Sequence, residues 1–205
     1  SCPKIINDFE ECGRLMADHF LEIGVRKPAY ITADSDKLYF SAFGQIFEAF
    51  EKRLLSHGVR ILPENRISGG LTISAGAAAF RSLIARKSVF DGIFCVNDPC
   101  AFGVMNEAEK HGLFAGSDFA LGGIDDIEES SLSRISLTSV RQPYEEIVNK
   151  AISVLSGMIE GKPCRKILQV MPQYLQIRRS TSDFENKTFP FDFFSAFWYF
   201  TKLMV

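Results

Sequence analysis

The chain has 205 residues, of which 46% are hydrophobic and 23% are charged, and its formal net charge is -2. This length suits one large domain or two small lobes, and it allows a core to form without disulfides. The slightly negative charge argues against direct DNA binding, because phosphate binding needs a clustered basic surface. The five cysteines include no C-x-x-C pair and no histidine cluster, so we expect reduced, mostly buried thiols in a cytosolic protein and no zinc site.

Short apolar runs alternate with helical patterns along the chain. In chain order the spacing predicts a helix over 9–23, a strand over 29–32, a helix over 39–56, a strand over 59–62, a helix over 74–86, a strand over 92–96, a helix over 99–111, strands over 119–122 and 137–140, a helix over 144–160 and a strand over 168–171. Nearly continuous apolar strands that alternate with helices indicate an α/β fold, with a parallel sheet covered on both faces.

The end of the chain differs in composition, because residues 183–205 are rich in aromatic side chains from Phe184 to Phe200. A membrane span needs about 20 apolar residues, and this shorter stretch contains Pro190, Asp192 and Lys202. We therefore expect no membrane contact and a tail that packs against this domain or a partner, since a large exposed apolar patch favours aggregation. A disordered end is the alternative.

Polar side chains follow three of the predicted strands. Asp34 comes after the strand over 29–32, Asn97 after 92–96, and Asp125 after 119–122. Because ligands of parallel α/β sheets bind beyond the carboxyl ends of the strands, we expect these residues at one edge. Carboxylate and amide groups there suit a polyhydroxylated ligand, since they accept and donate hydrogen bonds to hydroxyls.

Helix capping is the competing interpretation for several neighbouring residues. Asp98 precedes Pro99, which is the pattern of an N-cap followed by the first helical residue. Asp36 is also predicted to be a cap, and Asp126 could cap a short turn over 127–131. Asn97 and Asp125 remain as the less constrained polar groups.

Enzyme signatures are weak. The chain has no phosphate-binding loop and no dinucleotide-binding glycine motif, and Ser74 is predicted to cap a helix rather than act as a nucleophile. His19, His57 and His111 fall toward helix ends, where we expect solvated side chains or partners of the helix dipole. The sequence therefore predicts no catalytic residue, no metal site and no cofactor.

Four motifs resemble those of LacI/GalR transcriptional regulators. They are N-D-x-x-A-x-G at 97–103, G-I-D-D at 123–126, L-T-S-V-R-Q-P at 137–143, and R-R-S-T at 178–181, after Gly161. Residues 5–24 also fit the family, and the resemblance covers about residues 2–181 without the aromatic tail. Each motif alone is modest, but four in the right order are specific.

The resemblance implies a type I periplasmic-binding-protein-like core of two lobes around an effector cleft, which dimerises. It also implies a separate helix-turn-helix domain that reads DNA. By that comparison the chain lacks this domain and about half of the first lobe. Residues 1–26 would be a partial N-terminal lobe, 27–137 the C-terminal lobe, 138–163 the return to the first lobe, and 164–182 the closing strands.

The same resemblance bears on four of the six candidate ligand positions. Asn97 and Asp125 match cleft-lining positions, while Ile46 and Leu71 stand where the family often has an effector-gripping arginine and a stacking aromatic. The remaining candidates are Asp34 and Glu11.

The predicted function is effector sensing, for a sugar or related metabolite, in a cytoplasmic homodimeric regulator that contacts DNA only through a domain absent from this chain. A periplasmic solute-binding protein of a sugar transporter is the alternative, and an enzyme is not expected.

Overall fold

The computed structural model describes residues 3–33, 42–162, 168–182 and 184. Within those ranges the elements in chain order are β1 (Lys4–Asn7), α1 (Phe9–Glu22), β2 (Pro28–Thr32), α2 (Ala42–Leu55), β3 (Arg66–Ser68), α3 (Ile73–Ala85), β4 (Gly92–Cys95), α4 (Asp98–Lys110), β5 (Ala120–Ile124), β6 (Thr138–Arg141), α5 (Tyr144–Ile159), β7 (Leu168–Met171), β8 (Tyr174–Gln176) and α6 (Arg179–Ser182). All five predicted helices are confirmed, with shifts of about one residue at their described ends.

One predicted strand is wrong. Residues 59–62 have no regular structure, and the strand at this edge is β3, which begins four residues later at Arg66. Val59 and Ile61 are nevertheless buried. Their apolar character therefore reflects core packing by an irregular segment rather than strand pairing. The short strands β1 and β8 were not predicted.

The larger sheet has six strands in the order β3-β2-β4-β5-β6-β8. All neighbours are parallel except β8, which pairs antiparallel with β6. Successive side chains of a strand point to opposite faces. Thus Ile93 joins the core beneath α3 and α4, while Phe94 joins the core beneath α1 and α2. The expected parallel α/β class is confirmed.

Helix α1 packs closely on α2 and shares its core. A side chain at Gly13 would collide with the backbone of Ile46, so glycine permits this approach of the two helices. Phe20 of α1 also meets Phe50 of α2 edge to face, with ring centroids 5.9 Å apart. The predicted assignment of residues 1–26 to a separate lobe therefore differs from the structure, because α1 is part of the larger body.

A smaller two-stranded parallel sheet pairs β1 with β7 and contacts α5. Within the described ranges three short crossovers connect it to the larger body: residue 8 between β1 and α1, 142–143 between β6 and α5, and 172–173 between β7 and β8. The predicted segments 138–163 and 164–182 are thus each divided between the two sheets, since β6 and β8 belong to the larger one.

The aromatic tail lies almost entirely outside the described residues. Its first aromatic residue, Phe184, is buried in the core that α1 and α2 share. In the part of the chain that the structure describes, no helix is both long enough and apolar enough to cross a membrane.

Candidate functional site

The carboxyl edge of the larger sheet carries the candidate site. Strands β4 and β5 are parallel neighbours, so the residues that follow them, Asn97 and Asp125, emerge at the same edge. Both side chains are partly exposed. The sheet register, rather than proximity along the chain, places them on this edge.

Asp125 is held in an unusual backbone conformation. Its φ is 106°, and that of Asp126 is 51°, so two consecutive non-glycine residues have positive φ. Such conformations cost free energy and persist only where the surrounding structure enforces them. The main-chain N–H of Asp125 donates to the carbonyl of Val140 at 2.9 Å, which anchors this turn to β6.

The Asp125 carboxylate accepts two hydrogen bonds through Oδ1. Gln142 Nε2 donates to it at 2.6 Å and the Tyr144 hydroxyl at 3.4 Å. Burial raises the pKa of Asp125, and the two donors oppose that effect. Burial and the Asp125 charge also raise the pKa of Tyr144 to about 12, so its hydroxyl remains a donor near neutral pH. Neither Gln142 nor Tyr144 was predicted as a site residue from the sequence, although the Q-P motif marked the end of the neighbouring strand.

Asp98 is not the helix cap that the sequence predicted. It is fully buried in the first turn of α4, where Oδ2 accepts from Ser130 Oγ at 2.6 Å and from the Ile127 N–H at 3.1 Å. Its Oδ1 accepts from Ser139 Oγ at 2.6 Å. Burial raises the pKa of Asp98 to about 6 despite these donors. Asp98 therefore ties α4 to β6 and to the loop after β5.

Asn97 performs the capping instead. Its Oδ1 accepts from the Cys100 N–H at 3.0 Å, and its Nδ2 donates to the Leu71 carbonyl, also at 3.0 Å. The capping role predicted for Asp98 therefore belongs to Asn97, although Asn97 is partly exposed and Asp98 is fully buried. Similarly, Thr72 rather than Ser74 caps α3, since Thr72 Oγ1 accepts from the Ala75 N–H.

Asp126 does not cap the turn that follows it. Its carboxylate pairs with the Arg178 guanidinium at 2.6 Å, and both side chains are largely buried. Arg178 also donates to the Leu137 carbonyl at 2.7 Å. This ion pair connects the G-I-D-D turn to the R-R-S-T segment that ends the resemblance.

The other predicted ligand positions have varied environments. Glu11 lies in the first turn of α1 and pairs with Arg14 at 2.6 Å. Burial raises the pKa of the Cys12 thiol, and the charges of Asp125, Asp8 and Glu11 add to this effect.

Ile46 and Leu71 differ in exposure. Ile46 is buried in the core with α1, because its helix packs against Gly13, so it does not present a side chain at the sheet edge. Leu71 is 45% exposed. Asp34 and Asp36 lie outside the described residues.

The histidines include one buried residue. His19 was expected to be solvated or to act on the helix dipole, but it is only 4% exposed, and its Nε2 hydrogen-bonds to Thr181 Oγ1 at 2.7 Å. Burial lowers its pKa. His19 thus connects α1 to the closing segment, 162 residues away in the sequence.

Three side-chain amides connect the crossovers to Asp125. Gln173 Nε2 donates to Asn7 Oδ1 at 3.3 Å, and Asn7 Nδ2 donates to Gln142 Oε1 at 2.6 Å. Gln142 then donates to Asp125, as described above. We call these three residues the amide relay. They come from three distant parts of the sequence, and no local pattern indicates them.

An open groove of about 680 Å³ lies beside the candidate site. Its lining includes Leu71 and Ile73 before and at the start of α3, Pro99 of α4, and the charged Glu107 and Lys110. Neither Asn97 nor Asp125 contributes to it. The groove is therefore a surface distinct from the polar cluster around Asp125.

The fold and the polar edge define a periplasmic-binding-protein-like class of protein. The family model described as a periplasmic binding protein-like domain matches residues 17–181. The chain belongs to this family. The resemblance to LacI-type effector-binding domains is confirmed by its relatives and structural neighbours.

Two relatives are named transcriptional regulators. The HTH-type transcriptional repressor PurR of Photobacterium profundum is 26% identical over 181 residues, which are 88% of this chain and 53% of the relative. The HTH-type transcriptional regulator GntR of Pseudomonas aeruginosa is 31% identical over 170 residues, 82% of this chain and 48% of the relative. The chain thus spans about half the length of the curated relatives it matches.

Solved structures share the fold. The transcriptional regulator CelR in complex with cellobiose has a TM-score of 0.77 at 24% identity, over 87% of this chain and 54% of that chain. The lac repressor dimer bound to operator and an anti-inducer has a TM-score of 0.75 at 22% identity, over 86% and 52%.

Metal-binding geometry is not evident at the site. Among the residues that the structure describes, no group of three or more histidine, cysteine or acidic side chains could hold a metal ion. Cys12, Cys95 and Cys100 are buried and free.

Proposed function

We propose that this chain is the effector-sensing part of a LacI-type transcriptional regulator and binds a small polyhydroxylated molecule beside Asp125. The observation that carries this proposal is the geometry of the Asp125 carboxylate. It stands at the carboxyl edge of the sheet, and both of its hydrogen bonds to described residues use Oδ1. Oδ2 is therefore available to a ligand hydroxyl.

Polar and aromatic groups around this carboxylate suit a sugar or a nucleoside. A carboxylate accepts from hydroxyl groups, and a partly buried one forms the stronger, charge-assisted kind of hydrogen bond. Tyr144 is 53% exposed and lies beside Asp125, so its ring offers an apolar surface to the carbon face of a sugar or to a base. The cellobiose complex of CelR, which has the same fold, supports this ligand class.

A thermal-shift screen of sugars and nucleosides tests the proposal. A ligand present at 100 times its Kd would stabilise the protein by about 2.7 kcal/mol. Asp125→Asn should weaken binding of that ligand about tenfold or more, because it removes a charge-assisted acceptor. Asp118→Asn is the matched control. Asp118 lies before β5 rather than after it. Its Oδ2 accepts a hydrogen bond from the Phe114 N–H at 2.7 Å, and the side-chain oxygen of asparagine can accept the same bond.

Two results would contradict this ligand assignment. One is the absence of any stabilising sugar or nucleoside. The other is equal binding by the Asp125→Asn variant and the unmodified chain.

We also propose a homodimer that uses the groove between α3 and α4. Leu71 and Ile73 are 45% and 50% exposed there, and Glu107 and Lys110 lie alongside them. An apolar centre with charged groups at its margin is typical of protein interfaces. The lac repressor structure, which has the same fold, is a dimer.

DNA recognition in the proposed regulator belongs to a helix-turn-helix domain outside this sequence. The net charge of -2 agrees with DNA recognition by a separate domain, since DNA binding needs a basic surface. The names of the relatives favour a cytoplasmic regulator over the solute-binding protein of a transporter and over an enzyme. A binding assay with operator DNA tests this assignment of DNA recognition to a separate domain. Nanomolar, sequence-dependent binding by these 205 residues alone would contradict it.

A further inference from the structure

The amide relay has one member in or next to each of the three crossovers between the two sheets that the structure describes. Asn7 is the last residue of β1, directly before the crossover to α1, while Gln142 lies in the crossover from β6 to α5 and Gln173 in the crossover from β7 to β8. A backbone hydrogen bond reinforces the arrangement, because the Asp8 N–H donates to the Met171 carbonyl at 3.1 Å. Because these segments connect the two sheets, a movement of one sheet relative to the other takes place at these crossovers.

The relay has one direction. Each amide donates to the next, from Gln173 to Asn7 to Gln142, and the last donation ends on Asp125. A carboxylate is a pure acceptor when ionised, so it completes a chain of donors. Hydrogen bonds that share a direction polarise and strengthen one another in a low-dielectric environment. Gln173 is 5% exposed, which places the far end of the relay in such an environment.

We propose that Gln142 is a positioning residue that couples ligand binding at Asp125 to the three crossovers through the amide relay. Its amide holds Oδ1, which turns Oδ2 toward the ligand, and its carbonyl holds Asn7. A ligand on Oδ2 fixes the carboxylate and thereby stabilises the relay and the crossover arrangement. By thermodynamic reciprocity, the intact relay strengthens ligand binding by the same factor. The ligand step rests on the proposed function, whereas the relay itself does not.

Hydrogen–deuterium exchange of the unliganded chain tests the relay directly. Gln142→Glu keeps the side-chain shape but replaces the donor that faces Asp125 with an acceptor. We expect the crossover amides, including that of Asp8, to exchange about tenfold faster, the fold-change that corresponds to one hydrogen bond to a charged group. Gln142→Met removes the amide without adding charge and should change exchange in the same direction. Gln176→Glu in β8 is the matched control and should leave crossover exchange unchanged.

A double variant that exchanges the hydrogen-bond donor and acceptor between positions 142 and 125 distinguishes coupling from a merely structural role. In the double variant Gln142→Glu with Asp125→Asn, the new asparagine amide donates to the new glutamate, which still accepts from Asn7. Crossover exchange should return to within about threefold of the unmodified chain, because one donor–acceptor pair is restored. Ligand binding should stay weak, since the carboxylate is gone. Unchanged crossover exchange in both Gln142→Glu and Gln142→Met, or no rescue in the double variant, would overturn the proposal.

Cellobiose and D-ribose serve as the ligand probes. A probe that binds should slow crossover exchange in the unmodified chain and much less in Gln142→Glu. Equal slowing in both would overturn the coupling. If neither probe, nor any compound in the wider screen, binds the unmodified chain, the proposed ligand class fails, while the exchange of the unliganded variants still decides whether the relay exists.

Discussion

The side-chain amide of Asn97 donates to the backbone carbonyl of Leu71 at 3.0 Å. The same side chain accepts the Cys100 N–H and so begins α4. One residue therefore fixes both the start of one helix and the segment that leads into α3. Two of the predicted ligand positions are joined in this way, although they are 26 residues apart.

Removing the cap at Asn97 should destabilise the protein. Asn97→Ala leaves the first-turn N–H groups of α4 without their acceptor, and we expect the free energy of unfolding to fall by about 1 kcal/mol. Urea unfolding monitored by circular dichroism measures it. Asn97→Ser is the control, because serine keeps a capping oxygen and loses only the bond to Leu71. Equal losses in the two variants would show that the Leu71 contact, and not the cap, is responsible.

Titration of Asp98 should make stability depend on pH. Its pKa in the folded protein is about 6, above its ordinary value of 3.8. Between those values the folded state keeps a proton that the unfolded state has released. The free energy of unfolding therefore falls as pH rises from about 4 to about 6, by of order 2–3 kcal/mol from this group. The group contributes its full stabilisation below about pH 4 and none above about pH 6.

Asp98→Asn isolates that contribution. The variant does not titrate at this position, so subtracting its stability curve from that of the unmodified chain removes the contributions of other groups. The difference should decline with rising pH across this window. A flat difference from pH 4 to pH 7 would show that Asp98 has no raised pKa.

The close approach of α3 and α4 depends on glycine. A side chain at Gly103 would collide with the backbone carbonyl of Ile73, which cannot move without shifting α3. We expect Gly103→Ala to lower the free energy of unfolding by about 2–3 kcal/mol. Gly157→Ala in α5 is the control, because the nearest atom there is Lys162 Cδ at 3.6 Å. It should raise stability by up to about 1 kcal/mol, since alanine favours helix more than glycine. Thermal unfolding of both variants checks the contrast.

A charge in the proposed dimer groove should separate the subunits. Ile73→Glu places a carboxylate where the partner would bury an apolar side chain, so sedimentation should show a shift toward monomer. Leu132→Glu is the control, since Leu132 is 52% exposed but does not line the groove. If both variants keep the dimer, the interface lies elsewhere. If the unmodified chain is a monomer at high concentration, the dimer proposal is wrong.

Several features of the site could be predicted because they depend on local sequence. Apolar spacing gave the five helices, and parallel strands with polar residues at their ends placed Asn97 and Asp125 at one edge. The N-D and G-I-D-D motifs pointed to the correct turns. What local sequence could not settle was which residue caps α4, since asparagine and aspartate are equally good N-caps.

The sequence by itself determined the fold class, the order of the helices and the edge that carries the polar residues, because hydrophobic periodicity acts over a few residues. Only the tertiary structure decided that Asp98 is buried, because Ser130 and Ser139 reach it from 32 and 41 residues away. It also decided that Asn7, Gln142 and Gln173 form a relay, since their partners are up to 166 residues apart. Contacts of that separation arise from the packing of the whole chain, and no local pattern contains them.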